Sequence, residues 1–261
     1  DFFPFETYSA DAKAREDLYN AFMSRAYPAN QAILMEVLTL RHEYATLLGF
    51  SNWASYHAAD KMAQSEARIR DFVEDLATSV RPAADEELAG LLKYKQKDDP
   101  KATTIEVWDR FYYVGKVREA EHDFDARSVR PYFPFESVTR GIFDLYGMLF
   151  GLEFVALPDE PVWDPSVKAY DLHSDGQVVG RIYLDMHSRA GKYKHAAAFD
   201  VQTGVSDGEG PIGTLVCNFP NPADGDGKAL MEHGDVVTYF HEFGHLIHLL
   251  LGRSSPWARL N

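Results

Sequence analysis

The stretch "DVVTYFHEFGHLIHLLLG", residues 235–252, contains His241, Glu242 and His245 in the order His-Glu-x-x-His. On an α-helix, side chains four residues apart lie on the same face, so both imidazoles can reach one metal ion. Glu242 lies about 100° around the helix from His241, close enough to act on a water without binding the metal. The spacing therefore predicts a helix that carries two metal ligands and a general base.

The residues around this motif predict a helix that is buried on nearly every side. The motif is surrounded by apolar side chains, namely Val236, Val237, Phe240, Phe243, Leu246, Ile247, Leu249, Leu250 and Leu251. Burying two imidazoles and a carboxylate without partners would be strongly unfavourable. A bound metal removes that penalty, which favours a metal site over a chance match to the motif.

Zinc is the metal that this motif favours, and a catalytic zinc takes three protein ligands. We expect His241 and His245 to hold one Zn²⁺, which lowers the pKa of a bound water, while Glu242 takes the proton of that water. His248 follows on the same face, but three ligands from one straight helix do not converge on a tetrahedron. His248 is therefore expected to orient a ligand or to pack as an ordinary histidine.

Composition excludes several other classes of function. The 261 residues carry a net charge of −14, which argues against binding to nucleic acid or to anionic membrane surfaces. No apolar run approaches the roughly 18 residues of a membrane helix. Cys217 is the single cysteine, so no intrachain disulfide can form, and a reducing, cytoplasmic location is predicted.

The periodicity predicts a mainly α fold with a small antiparallel β-sheet. Apolar residues recur at helical spacing in "NQAILMEVLTLRHEYATLLG" (30–49), and Ser65 is a plausible N-cap of a helix that ends before Pro82. "VKAYDLHSDGQVVGRIYLDMH" (167–187) alternates around Ser-Asp-Gly, as a β-hairpin does. We expect a helical part over 1–152, a β-rich subdomain over 153–219, and a loop with the motif helix over 220–261.

Several longer segments resemble the thimet oligopeptidase family of zinc metallopeptidases, whose members include oligopeptidase A, dipeptidyl carboxypeptidase and neurolysin. The similar segments are "LTLRHEYATLLGFSNWASYHAADKMA" (38–63), "VWDRFYYVGKVRE" (107–119), "VRPYFPFESVTRGIFDLYGMLFGLEF" (129–154), "IYLDMHSRAGKYKHAAAF" (182–199) and "VVTYFHEFGHLIH" (236–248). They occur in family order over most of residues 14–261, which is far more specific than the zinc motif alone.

The resemblance implies a zincin-type catalytic region of the gluzincin kind, in which a glutamate from a later helix is the third zinc ligand. That glutamate would lie beyond Asn261, so the chain is expected to be a central fragment that lacks both flanks. The C-terminal remainder of the same enzyme, as a separate chain, is its expected partner. Short peptides are the expected substrates.

Two features of the β-rich region are candidates for contact with a peptide. Tyr193 and His195 lie in "GKYKHAAAF" (191–199) and contact substrate on one interpretation, or pack within a strand on another. "GTLVCNF" (213–219) is the candidate for a strand near the cleft that pairs with an extended peptide through main-chain hydrogen bonds.

The predicted function is therefore zinc-dependent hydrolysis of peptide bonds in short oligopeptides, with Glu242 activating the zinc-bound water. The alternative is a catalytically inactive fragment, or lobe, that binds peptide or zinc weakly.

Overall fold

The computed structural model describes residues 2–122, 125–205, 208, 210–223 and 229–252. The chain forms two compact units, Asp1–Phe124 and Asp125–Asn261. The boundaries expected after residues 152 and 219 stay predictions.

The described part of the first unit is helical. Its helices are α1 (Phe2–Tyr8), α2 (Ala12–Met23), α3 (Gln31–Leu47), α4 (Trp53–Ala58), α5 (Glu66–Asp98) and α6 (Arg110–His122). Inside this unit, Arg15 and Asp109 form an ion pair with Nη2 and Oδ1 2.8 Å apart, and both side chains are 1% exposed. Lys95 also pairs with Asp109. Burial raises the pKa of Asp109, but hydrogen bonds from Lys95 and Arg15 hold it below its ordinary value.

Two predictions about helix ends meet different outcomes in α5. The Ser65 hydroxyl accepts a hydrogen bond from the backbone N–H of Arg68, which confirms the predicted N-cap. The predicted end before Pro82 is wrong, since α5 continues to Asp98. No residue of α5 is buried, so the carbonyl that Pro82 leaves without a helical partner is open to water.

The predicted helix over 30–49 is confirmed as α3, and Gly49 follows it with φ of +86°. Its apolar side chains, however, lie largely in solvent. Ile33 is 57% exposed and Leu40 is 55% exposed. Helical spacing therefore predicted the helix correctly, although α3 packs chiefly against the short helix α4 within this unit.

The second unit places helices on a small sheet. Its elements are a 3-10 helix (Ala126–Tyr132), α7 (Phe135–Phe150), β1 (Glu153–Ala156), β2 (Lys168–Ser174), β3 (Gln177–His187), β4 (Ala197–Gln202), β5 (Ile212–Phe219) and α8 (His233–Leu251). The expected mainly α fold with a small sheet is confirmed.

The sheet has five strands in the order β1-β2-β3-β5-β4. The predicted hairpin is confirmed, with Asp175 and Gly176 at φ of +51° and +75° in the turn between β2 and β3. The pairings of β1 with β2, β2 with β3 and β4 with β5 are antiparallel, as expected, while β5 runs parallel to β3, so the sheet is mixed. β5 lies between β3 and β4, which leaves β4 at the edge of the sheet.

α8 packs across β3, β5 and β4, and α7 packs against β1. The centre of this unit is formed by fully buried side chains from both layers, including Ile142, Leu172, Ile182, Leu215, Tyr239, Phe243 and Leu246. Gly213 of β5 faces α8 so closely that a Cβ there would lie 2.5 Å from Cδ1 of Leu246. The missing side chain thus allows α8 to lie directly on the sheet.

Candidate metal centre

A capping box and an apolar face position α8. The backbone N–H of Glu232 donates to Oδ2 of Asp235 at 3.0 Å, and the Glu232 side chain in turn accepts from the backbone of Asp235. The face towards the sheet carries the buried residues Tyr239, Phe243, Leu246, Ile247 and Leu250. The motif residues project from the remainder of the helix surface.

His241 and His245 lie together on this surface. Their Nε2 atoms are 3.1 Å apart, and their ring centroids are 4.8 Å apart with planes at 78°. With Zn–N bonds of about 2.0–2.1 Å, a tetrahedral zinc requires two ligand nitrogens about 3.3 Å apart. The observed pair fits two ligands of such an ion. The same distance also suits an N–H···N hydrogen bond between neutral rings.

The expectation that α8 is buried on nearly every side is wrong. His241, His245 and His248 are exposed, and Val237 is 54% exposed. The helix carries more apolar side chains than the sheet covers, so its composition predicted more burial than the structure has. The argument that buried, unpaired polar groups need a bound metal therefore does not apply to this helix. The metal assignment depends instead on the geometry of the two imidazoles.

Glu242 points towards the edge of the sheet. Its Oε2 accepts a hydrogen bond from the backbone N–H of Ala198, at 3.2 Å. Ala198 belongs to β4, the edge strand. Sequence reasoning did not identify Ala198, because a backbone donor carries no signal in the side-chain pattern. The contact fixes Oε2, one of the two carboxylate oxygens.

Among the described residues, no group of three or more His, Cys, Asp and Glu side chains is placed to hold a metal ion. His248 is therefore not brought into a ligand set with His241 and His245. His241 and His245 stay candidate metal ligands on the strength of their separation, and the expected orienting role of His248 stays a prediction.

Tyr193 and His195 are exposed, with ring centroids 5.5 Å apart. The side-chain amide of Asn218 donates to the backbone carbonyls of both, at 3.0 Å and 3.3 Å. Asn218 belongs to β5, the strand expected to pair with a peptide. β5 already has strands on both sides, so it cannot pair with a peptide, and the edge strand next to it is β4.

Sequence reasoning also missed a buried group of charges between β3 and β4. Lys192 and Asp185 form an ion pair in which their side chains are 3% and 4% exposed. Lys192 lies in a polar loop, where a lysine is ordinarily solvated, so the sequence gives no signal of its burial.

Within the part of the chain that the structure describes, each helix is too short or too polar to cross a membrane.

The sequence of the chain is similar to those of known peptidases. Residues 5–257 match the model of peptidase family M3. Oligopeptidase A of Escherichia coli (strain K12) is 34% identical over 97% of this chain and 39% of its own length. Saccharolysin of Saccharomyces cerevisiae is 34% identical over 100% of this chain and 39% of its own length. Dipeptidyl carboxypeptidase of Escherichia coli is 32% identical over 93% of this chain and 36% of its own length.

The chain thus spans about two fifths of the length of the curated relatives that it matches. The match to the family model extends over nearly all of its residues, and it includes the motif helix α8. The chain belongs to peptidase family M3.

Proposed function

We propose that this chain carries the zinc-binding helix and the general base of a peptidase that cleaves short oligopeptides. The observation that carries the proposal is the pair of Nε2 atoms 3.1 Å apart on α8, with a glutamate between the two histidines in sequence. Family membership supports it, because the matched relatives are named as peptidases and oligopeptidases. It also fits a zincin-type region built on α8.

His241 and His245 would hold the zinc ion through their Nε2 atoms. Zinc, when bound there, supplies a Lewis acid that polarises a peptide carbonyl and makes a water more acidic. Glu242 acts as the general base, with Oε1 accepting the proton of the attacking water while Ala198 holds Oε2. Glu242 then passes this proton to the amide nitrogen of the scissile bond, and the amine leaves.

The edge strand β4 offers its outward main-chain groups to an extended peptide, which can pair with it as an added strand. Tyr193 and His195 immediately precede this strand, and their side chains are exposed. We propose that they contact side chains of the substrate. A short peptide is the substrate class that this arrangement favours.

A catalytic zinc takes three protein ligands, and the described residues supply two. We propose that the third is a glutamate from the C-terminal remainder of the enzyme. The alternative is a catalytically inactive lobe that binds zinc or peptide weakly. The two-ligand geometry favours this alternative for the chain alone. A cytoplasmic location stays a prediction that rests on the single cysteine.

The variant Glu242→Gln tests the proposed base. Zinc content is measured by elemental mass spectrometry, and cleavage is measured with a quenched fluorescent peptide, with and without the complementary part of the enzyme. We expect unchanged zinc content and a loss of cleavage of roughly 10²–10⁴-fold. Glu153→Gln, which changes an exposed carboxylate at the start of β1, is the matched control and should cleave normally.

Cleavage by Glu242→Gln at the unmodified rate would contradict the role of this residue as the base. Zinc binding without cleavage by the unmodified chain, in the presence of the complementary part, would support the inactive lobe instead.

A further inference from the structure

We propose that residues 188–195, which form most of the connection between β3 and β4, are a brace that positions Glu242. The brace is held by the buried side chain of Lys192 and by the amide of Asn218. It leads directly into the edge strand, whose Ala198 N–H holds the carboxylate. The effect of the brace on catalysis rests on the proposed function. The brace itself is an arrangement of side chains and does not depend on that function.

The Lys192 ammonium fastens the middle of this segment to the sheet. Its Nζ donates to the backbone carbonyls of Asp185, His187 and Cys217, at 2.9, 2.7 and 2.5 Å. It also lies 2.8 Å from Oδ1 of Asp185, and its side chain is 3% exposed. An ammonium that is removed from water must be fully paired to be tolerated. Lys192 therefore ties the segment to the ends of both β3 and β5.

Asp185 completes the charge balance under the brace. Its carboxylate accepts hydrogen bonds from both Nη atoms of Arg189, at 2.6 and 2.9 Å, and from Nε1 of Trp163 at 2.9 Å. Burial raises the pKa of Asp185, but the bonds from Arg189, Lys192 and Trp163 outweigh it and lower the pKa to about 2. The carboxylate thus stays ionised opposite the Lys192 ammonium.

Asn218 fastens the end of the segment. In the register of β4 and β5, Ala197 pairs with Val216, and continuing that register by two residues places His195 opposite Asn218. The strands do not pair through their backbones at this point. The Asn218 amide donates instead to the carbonyls of Tyr193 and His195. The Asn218 side chain thus holds this part of the segment against β5, just before β4 begins.

Ala198 is the second residue of the edge strand β4. In an antiparallel pair, successive residues turn their N–H groups alternately towards and away from the partner strand. The N–H of Ala198 reaches Glu242 of α8, so it points away from β5. The brace fixes where β4 begins, and this sets the position of the donor that orients the carboxylate. Lys192 and Asn218 are therefore positioning residues.

Hydrogen–deuterium exchange on the 261-residue chain tests the brace without any assay of cleavage. Lys192→Met removes the buried ammonium and keeps the side-chain length. Lys194→Met makes the same change at an exposed lysine of the same segment, whose Nζ donates to the Arg189 carbonyl. We expect amides 196–199 to exchange roughly tenfold faster in Lys192→Met and unchanged in Lys194→Met. Equal exchange of these amides in both variants overturns the proposal.

Asn218→Ala keeps the test decisive if Lys192→Met fails to fold, because Asn218 is only partly buried. The same local acceleration at 196–199, with unchanged exchange in α7, supports the brace. Unchanged exchange at 196–199 in Asn218→Ala overturns it. In an assembly that cleaves peptide, Asn218→Ala should lower kcat by roughly tenfold, and KM should rise as well because Tyr193 and His195 lose the bonds that position them. If no assembly cleaves peptide, the proposed function fails while the exchange result still decides the brace.

Discussion

The Nε2 atoms of His241 and His245 face each other at 3.1 Å on the exposed side of α8. The separation is close to what two ligands of one tetrahedral zinc require. Because the opposite side of α8 is anchored on β3, β5 and β4, the two imidazoles are presented by a rigid element. The residues that hold α8 on the sheet therefore also fix where the two imidazoles lie.

Removal of either histidine should weaken zinc binding by this helix. We expect His241→Ala and His245→Ala each to weaken zinc binding by at least about tenfold. Loss of a residue that only hydrogen-bonds to a metal ligand already lowers metal affinity by about this factor, and loss of the ligand itself should lower it at least as much. Isothermal titration calorimetry measures the affinity. His233→Ala, at the start of α8, is the control. Equal affinity in all of these variants would mean that zinc binds elsewhere.

Much of the candidate site and part of the fold could be predicted, because these features depend on residues that are close together in the sequence. The spacing of His241, Glu242 and His245 places them by helix geometry alone, and the Asp175-Gly176 turn fixes a hairpin without any distant contact. Gly49 likewise follows α3 in a left-handed conformation that glycine adopts freely.

Features that depend on distant contacts were not predictable. The insertion of β5 between β3 and β4 is invisible in strand order along the chain, so the edge strand was assigned wrongly. Lys192 was overlooked because a lysine becomes buried only where several carbonyls happen to converge. The exposure of His241 likewise depends on which side of an apolar helix the sheet covers.

Close contact between α8 and the sheet requires glycine at position 213. A Cβ there would lie 2.5 Å from Leu246 Cδ1, so Gly213→Ala should lower the free energy of unfolding by about 1–3 kcal/mol. In a Leu246→Ala background the same change should have little further effect, because the clashing atom is gone. Urea unfolding of the double-mutant cycle measures this coupling. Simple additivity of the two changes would show that the helix does not depend on this contact.

The ionised Asp185 should stabilise the second unit in a pH-dependent way. Its pKa of about 2 in the folded chain lies below the ordinary 3.8, so its contribution is fully present above pH 3.8 and is lost as pH falls through 2. We expect Asp185→Asn to lower the free energy of unfolding by about 3 kcal/mol at pH 7, because two cations lose their partner.

Denaturant unfolding at several pH values checks this prediction, and the difference should shrink between pH 3.8 and pH 2. Asp175→Asn, in the hairpin turn, is the matched control and should change stability little at any pH. A constant difference across this range would argue against an ionised Asp185 in the folded chain.

Glu6 should have the opposite pH dependence in the first unit. Both of its carboxyl oxygens are buried without a hydrogen-bond partner among the described residues. Burial raises its pKa above the ordinary 4.5, the Arg15 charge opposes the rise, and Asp109 adds to it. The folded chain therefore keeps this proton to higher pH, and stability declines as pH rises from 4.5 through the raised pKa.

Glu6→Gln should consequently raise the free energy of unfolding at pH 7 by about 1 kcal/mol and change it little at pH 4. Thermal unfolding at both pH values provides the measurement. Glu36→Gln, an exposed carboxylate of α3, serves as the control. A gain of the same size at pH 4 would show that ionisation of Glu6 is not the cause.

Anomalous diffraction at the zinc edge, from crystals of the zinc-loaded chain, tests the metal assignment most directly. The structure predicts one peak at about 2.0–2.1 Å from Nε2 of both His241 and His245. A density map with no peak between these two rings, or with the zinc bound at other side chains, would contradict the assignment.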